Sequence, residues 1–240
     1  MNEAKQSLRV QLTAKYNEMW MNGNPPPGPL RAPMFAGAGK AAEMLRRLPA
    51  YRQARTLAIT AEPALLQVRL NALLDGKTLL AATPGLKKGL VRLSGQQIPM
   101  NRRHLDLHGH AMFQAGKPLP LPHARLGQAD MLVSTALAID NDGYTLNDGR
   151  GILDVLLALL SELEVLAANA PLVILADAAQ QVEKLPHEEW DARANVLITP
   201  EGQRRWESSP RSGLAWDKLS SGLARLPVLK AYHGRSRGSF

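Results

Sequence analysis

Residues 140–157, DNDGYTLNDGRGILDVLL, hold the densest group of chemically useful side chains in this 240-residue chain. Gly149 and Gly151 bracket Arg150, and Asn147 precedes them, a composition suited to a tight turn. An aliphatic run of helical length follows, so the backbone N–H groups of the turn and the amino end of that helix would favour an anion. Arg150 adds a full positive charge. Asp154 falls in the first helical turn, where a carboxylate either meets a metal ion or simply complements the helix dipole. Two glycines behind a strand also make an ordinary βα turn with no ligand, and the spacing is neither GxGxxG nor a GK[ST] phosphate loop. A second pair of cations, Lys5 and Arg9, is spaced four apart and shares one helix face, which could equally be a solvated basic face.

Other residues carry weaker signals. His104, His108 and His110 lie close together with Asp106, but no single helix or strand aligns all three histidines, so a polar loop is favoured over a metal site. Thr83–Pro84 precedes Lys87 and Lys88, which could meet an anionic substrate or stand as ordinary surface lysines. Trp190, Trp206 and Trp216 read as packing anchors.

The elements that must position these residues follow from periodicity. Residues 2–20 repeat Leu8, Leu12, Tyr16 and Met19 at helical spacing. The proline run at 22–29 stops that helix and reads as a linker. A helix is expected over 39–48, ending before Pro49. Short apolar runs at 55–60, 77–82, 131–139, 171–176 and 195–199 read as buried strands. Residues 63–75 and 149–168 read as helices, and 84–128 as irregular chain. Buried strands alternating with helices imply a mostly parallel sheet covered on both faces, a three-layer α/β/α domain.

Composition bounds the rest. The hydrophobic fraction of 45% supports one substantial core, expected over residues 1–230, with a basic, flexible tail at 231–240. The chain has no cysteine, which excludes disulfides and thiol chemistry. Neither a secretory signal nor a membrane span is visible, so the default expectation is a cytoplasmic protein. The net charge of +8 favours anionic partners, yet the basic clusters lack the interleaved aromatics of a nucleic-acid face.

The order of these pieces resembles a known family: KQSLR, VRLNALLDGKTLLAATPGLKKGL, VSTALAIDNDGYTLNDGRGILD with the turn inside it, ADAAQQVEKLPHEEWDARANVLITPEG and GLAWDKLSSGLARLPVLK. The chain resembles the 5-formyltetrahydrofolate cyclo-ligase, or methenyltetrahydrofolate synthetase, family, and within it the diverged methenyltetrahydrofolate synthetase domain branch. That resemblance implies a fold of the sugar-isomerase/CoA-transferase type. It also implies ATP and Mg2+ as cofactors and ring closure of 5-formyltetrahydrofolate to the 5,10-methenyl form through a phosphorylated formyl group. By the same resemblance, Lys5, Arg9, Asn147, Gly149, Arg150 and Gly151 bind the nucleotide, Arg150 serves catalysis, and Asp154 lies by the metal. Gln180, Pro186 and Asp191 also match the family pattern.

Departures stand beside these matches. Thr145 replaces an arginine, Asn147 a glycine, Ile152 and Leu153 two aromatics that help hold folate, and Asn195 an aspartate. Two readings therefore follow: an ATP-dependent cyclo-ligase acting on a folate or related small anionic substrate, or a diverged paralogue that binds a nucleotide, folate or thiamine-related ligand without that activity. A nucleic-acid role would rest on charge alone.

Overall fold

The computed structural model describes residues 3–21, 34–99, 101, 111–119, 127–208 and 210–237. The helix α1, Glu3–Met21, comes first, then α2, Ala38–Arg47, and a short α3, Pro49–Gln53. Pro49 ends α2 as expected but also opens α3, because its missing N–H costs nothing in a first helical turn. Strand β1, Thr56–Ile59, leads through a 3-10 turn into α4, Leu66–Leu74, and back into β2, Thr78–Ala82.

The stretch read as irregular holds two antiparallel edge strands, β3, Leu90–Leu93, and β4, Lys117–Leu119, with a one-turn helix α5, Ala111–Ala115, between them. Their brevity and their glycine-rich and proline-rich flanks hide them from a periodicity search. The run at 131–139 is also divided. Met131–Thr135 is β5, whereas Ala138–Ile139, β6, leaves the main sheet and pairs with β7, Thr145–Leu146. The helix expected over 149–168 is shorter: α6 spans Ile152–Glu162, because Gly151 takes a left-handed φ of 68° and serves as its N-cap. Strands β8, Leu172–Leu175, β9, Val196–Ile198, and β10, Gln203–Arg205, follow, then the short α7, Ser221–Ala224, and α8, Pro227–Arg237. The last helix runs on through 231–237, into the stretch whose composition reads as a tail.

Among the described residues the strands order as β10-β9-β8-β5-β1-β2-β3-β4, and β2, β1, β5, β8 and β9 run parallel. Alternation along each strand divides the core. Leu57 and Ile59 pack with α2 and α4 on one face, while Ala58, Leu132 and Ile174 pack with α6 on the other. This is the expected three-layer α/β/α arrangement. Successive crossovers lead outward in opposite directions from β1 and β5, so those neighbours form the topological switch point, where open α/β sheets bind ligands.

A third cluster fixes the amino-terminal helix. Leu12 and Tyr16 pack on Leu137, Ala138, Leu146 and Leu185, and the Tyr16 hydroxyl donates to the Leu137 carbonyl at 2.9 Å. The buried stripe of α1 is Lys5, Arg9, Leu12 and Tyr16, at helical spacing, while Met19 is exposed. The two cations therefore lie in register with the apolar contact, and docking α1 on the β6–β7 hairpin carries them to the glycine turn.

Candidate functional site

The β6–β7 hairpin sets the turn. Asp140 is buried in it and accepts the N–H groups of Asp142, Tyr144 and Leu185. Beyond β7 the chain passes Asn147 and Asp148 into Gly149, whose φ of 83° is left-handed. Asp148 accepts the Arg150 N–H at 3.0 Å, and the turn closes into α6, whose first N–H groups lack intrahelical acceptors.

Arg9 lies against this turn. Its Nε donates to the Asn147 carbonyl at 2.8 Å, and a Cβ placed on Gly149 would stand 3.2 Å from its guanidinium carbon. Burial lowers the Arg9 pKa, and Asp148, Asp191 and Asp154 pull it back up. Lys5 forms an ion pair with Asp191, and both side chains are nearly enclosed. Arg150 is different: its side chain is 43% exposed and its Nε lies 3.5 Å from Asp148. It stands at the mouth, not in the depth.

These groups face one cavity of about 470 Å³, a volume ordinary for a small-molecule site. Lys5, Arg9, Asn147, Gly149, Arg150, Gly151 and Asp154 all line it. Trp190, Leu214, Leu219 and Leu223 line it as well. Asp154 keeps some exposure toward the cavity, but its carboxyl group is enclosed and Oδ1 accepts the Ala192 N–H at 2.7 Å. Burial pushes its pKa from 3.8 to about 6; the Ala192 N–H opposes this, Asp191 adds to it, and Lys5 opposes it. Among the described residues no cluster of three or more His, Cys, Asp or Glu side chains could hold a metal by itself. A magnesium ion needs only one or two carboxylates when phosphates complete its shell, and Asp154, next to the turn, offers that.

The replaced positions have other work. Thr145 is buried and donates to the Ala192 carbonyl at 3.2 Å. Leu153 is buried in the core under α6, and Ile152 packs against it. Asn195 Oδ1 accepts the Leu172 N–H at 2.8 Å. Gln180 is a capping residue: its Oε1 accepts the Asp177 N–H and its amide donates to the Ala136 carbonyl. Pro186, Lys87 and Lys88 do not line the cavity, and Thr83 is buried, its hydroxyl bonded to the Gly89 carbonyl. Trp206 and Trp216 are anchors as expected. Trp206 donates to the Asn141 carbonyl, and Trp216 stacks near Tyr232 and His233. Trp190 departs from that expectation, since its half-buried ring faces the cavity. His104, Asp106, His108, His110 and the 22–29 linker lie outside the described residues.

One polar group escaped the sequence reading. Glu62 follows β1 at the carboxyl edge of the switch point, and its Oε2 is buried without a hydrogen-bond partner. Burial raises its pKa; bonds to Thr60 and to its own backbone, and then Arg69, oppose this, while Asp148 adds to it. The fully buried Arg69 donates to the Thr60 and Glu62 carbonyls. Across the switch point, Thr135 Oγ1 is also buried without a partner. A signal existed: a glutamate directly behind an apolar strand, before a proline that opens a helix.

Known proteins resemble this chain. A model of the 5-formyltetrahydrofolate cyclo-ligase family matches residues 1–200. The methenyltetrahydrofolate synthase domain-containing protein of Bos taurus is 26% identical over 238 residues, covering 95% of this chain and 61% of that protein. The protein of the same name from Homo sapiens is 24% identical over 247 aligned residues, covering 98% and 62%. The chain thus spans about three fifths of the length of these relatives. The NMR structure of Aquifex aeolicus 5,10-methenyltetrahydrofolate synthetase superposes with a TM-score of 0.57 at 20% identity, over 88% of this chain and 97% of that one. That likeness concerns the fold.

Proposed function

From the premise that this chain belongs to the 5-formyltetrahydrofolate cyclo-ligase family, we propose that it binds ATP with magnesium in the cavity at the Gly149 turn. We propose further that it closes 5-formyltetrahydrofolate, or a related small anionic substrate, to the 5,10-methenyl form. The observation that carries this reading is the convergence of Lys5 and Arg9, from the first helix, on a glycine turn at the amino end of α6. Phosphoryl transfer asks a protein mainly for positioning and charge neutralisation, and this end of the cavity supplies both.

Arg9 is the firmest cation, held by the Asn147 carbonyl and aimed across Gly149. Lys5 shares its charge with Asp191 and so holds the floor of the site as much as it attracts an anion. Arg150, 43% exposed and 3.5 Å from Asp148 at the surface, can swing onto a phosphate once one arrives. Asp154, with Asp191 beside it, would hold magnesium, which when bound would neutralise phosphate oxygens. A pKa near 6 means Asp154 is largely ionised at neutral pH and ready for that cation. Glu62 and Thr135, whose Oε2 and Oγ1 are buried without a hydrogen-bond partner near the carboxyl ends of β1 and β5, do not line this cavity.

A second reading has its own support. Thr145, Ile152 and Leu153 are absorbed into strand and core, so this chain presents neither the loop arginine nor the rings of the family there. A diverged paralogue would bind nucleotide, folate or a thiamine-related compound without turnover. Absorbance of the methenyl product after adding 5-formyltetrahydrofolate, ATP and magnesium separates the two. ATP-dependent growth of that absorbance is expected for the cyclo-ligase, and nucleotide binding without it for the paralogue.

A further inference from the structure

Part of the cavity lining has no use in the phosphate chemistry. Beside Arg9 and the glycine turn, the lining includes apolar and aromatic side chains: Trp190, Leu214, Leu219 and Leu223. Apart from Trp190, these residues lie beyond residue 200, outside the part matched by the family model. Resting on the nucleotide reading above, we infer that residues 213–223 and Trp190 form the seat of the nucleotide's base.

The wall is built, not draped. Glu162, in the last turn of α6, accepts the Leu214 N–H at 2.6 Å and also bonds the Tyr232 hydroxyl of α8. Gly213 is required for this approach, since a Cβ there would stand 2.7 Å from Glu162 Oε1. Just upstream, Arg211 donates to the carbonyls of Ala167 and Ala170. At the other end, Leu223 abuts the phosphate turn: a Cβ on Gly151 would come within 3.4 Å of its Cδ1. A ligand whose phosphates lie at that turn therefore continues along this wall.

An apolar wall joined to a cationic end calls for a ligand with a polyphosphate at one end and a flat, weakly hydrated ring at the other. Inorganic polyphosphate would leave the wall wet. The Trp190 ring is half-buried and lines the cavity, and Lys218, 5.9 Å from its centroid, has a side chain that is 51% exposed and can move aside. Ring–base stacking tolerates any planar base, so this end contributes affinity more than base choice. It would also supply aromatic surface that positions 152 and 153 do not.

Titration of the full chain with ATP and, separately, with tripolyphosphate, each with magnesium, tests the assignment. The wild type should bind ATP about tenfold more tightly than tripolyphosphate, the margin of one stacked base. Trp190→Ala should lose that margin while keeping tripolyphosphate affinity, and Trp190→Phe should restore most of it. Leu223→Ser, placed at the surface edge of the wall, should also narrow the margin. Equal affinity of the wild type for both probes would overturn the base seat and leave the phosphate site standing. A Trp190→Ala variant that weakens both probes alike, with an unchanged melting curve, would overturn it too. Failure of ATP to bind the wild type would sink the nucleotide reading and this inference with it.

Discussion

Replacing Asp154 by asparagine should make the protein more stable above neutral pH while removing its use for magnesium. The carboxyl is enclosed under the glycine turn, and burial raises its pKa from 3.8 to about 6. An acid raised in the folded state contributes stability that is complete below its unfolded pKa and is lost as pH rises through the folded value. The wild type therefore loses stability between about pH 4 and pH 7. The full linkage cost of ionised Asp154 is about 3 kcal/mol. Because the residue keeps contact with the cavity, about 1–2 kcal/mol is the expected share. The asparagine carbonyl can still accept the Ala192 N–H that Oδ1 holds at 2.7 Å. Thermal melts at pH 4 and pH 8 measure the effect. At pH 4 the two proteins should melt together, and at pH 8 the variant should melt higher by about 2–8 °C. A variant that melts lower at pH 8 would refute the reasoning, since it would mean that the ionised carboxylate stabilises the fold through Lys5 more than its burial costs.

Other outcomes follow from the same geometry. Gly149→Ala forces a left-handed backbone on alanine and drives a methyl against Arg9, so a loss of about 1–2 kcal/mol in urea unfolding and weaker MgATP binding are expected. MgATP affinity should fall as pH drops through about 6, where Asp154 takes up a proton, and the Asp154→Asn variant should show a shallower fall, that of the ligand's own phosphate. Tyr16→Phe removes the bond to the Leu137 carbonyl and should cost about 1 kcal/mol by unfolding, with α1 and its cations held less firmly.

The layers of this fold were legible because their strands are short apolar runs buried on both faces, as at Leu57–Ile59 and Leu172–Leu175, and such runs announce themselves by composition. The glycine turn was legible for a similar reason: Gly149 and Gly151 both take positive φ, which few other residues tolerate. The edge strands at Leu90–Leu93 and Lys117–Leu119 were not, since three or four residues flanked by turn formers carry no period. The length of α6 was overestimated because apolar residues continue past Glu162 into a turn at Glu164, whose φ of 54° breaks the helix without a glycine to mark it. Within the site, the convergence of Lys5 and Arg9 could be anticipated only from resemblance. In the sequence they look like solvent-facing charges, and only the docking of Leu12 and Tyr16 reveals that they share the buried stripe. Trp190 was missed because its place depends on the leucines beyond residue 200 that line the same cavity, and Glu62 because the burial of its carboxyl behind β1 is not marked in the local sequence.

Calorimetric titration with MgATP of the wild type and Arg9→Ala, the latter shown folded by its melting curve, goes to the centre of this account. The wild type should bind in the micromolar to millimolar range, and loss of the guanidinium that spans Gly149 should weaken binding about tenfold or more. A wild-type protein that gives no binding heat by this or any orthogonal method, or an Arg9→Ala variant that binds as well as the wild type, would contradict it.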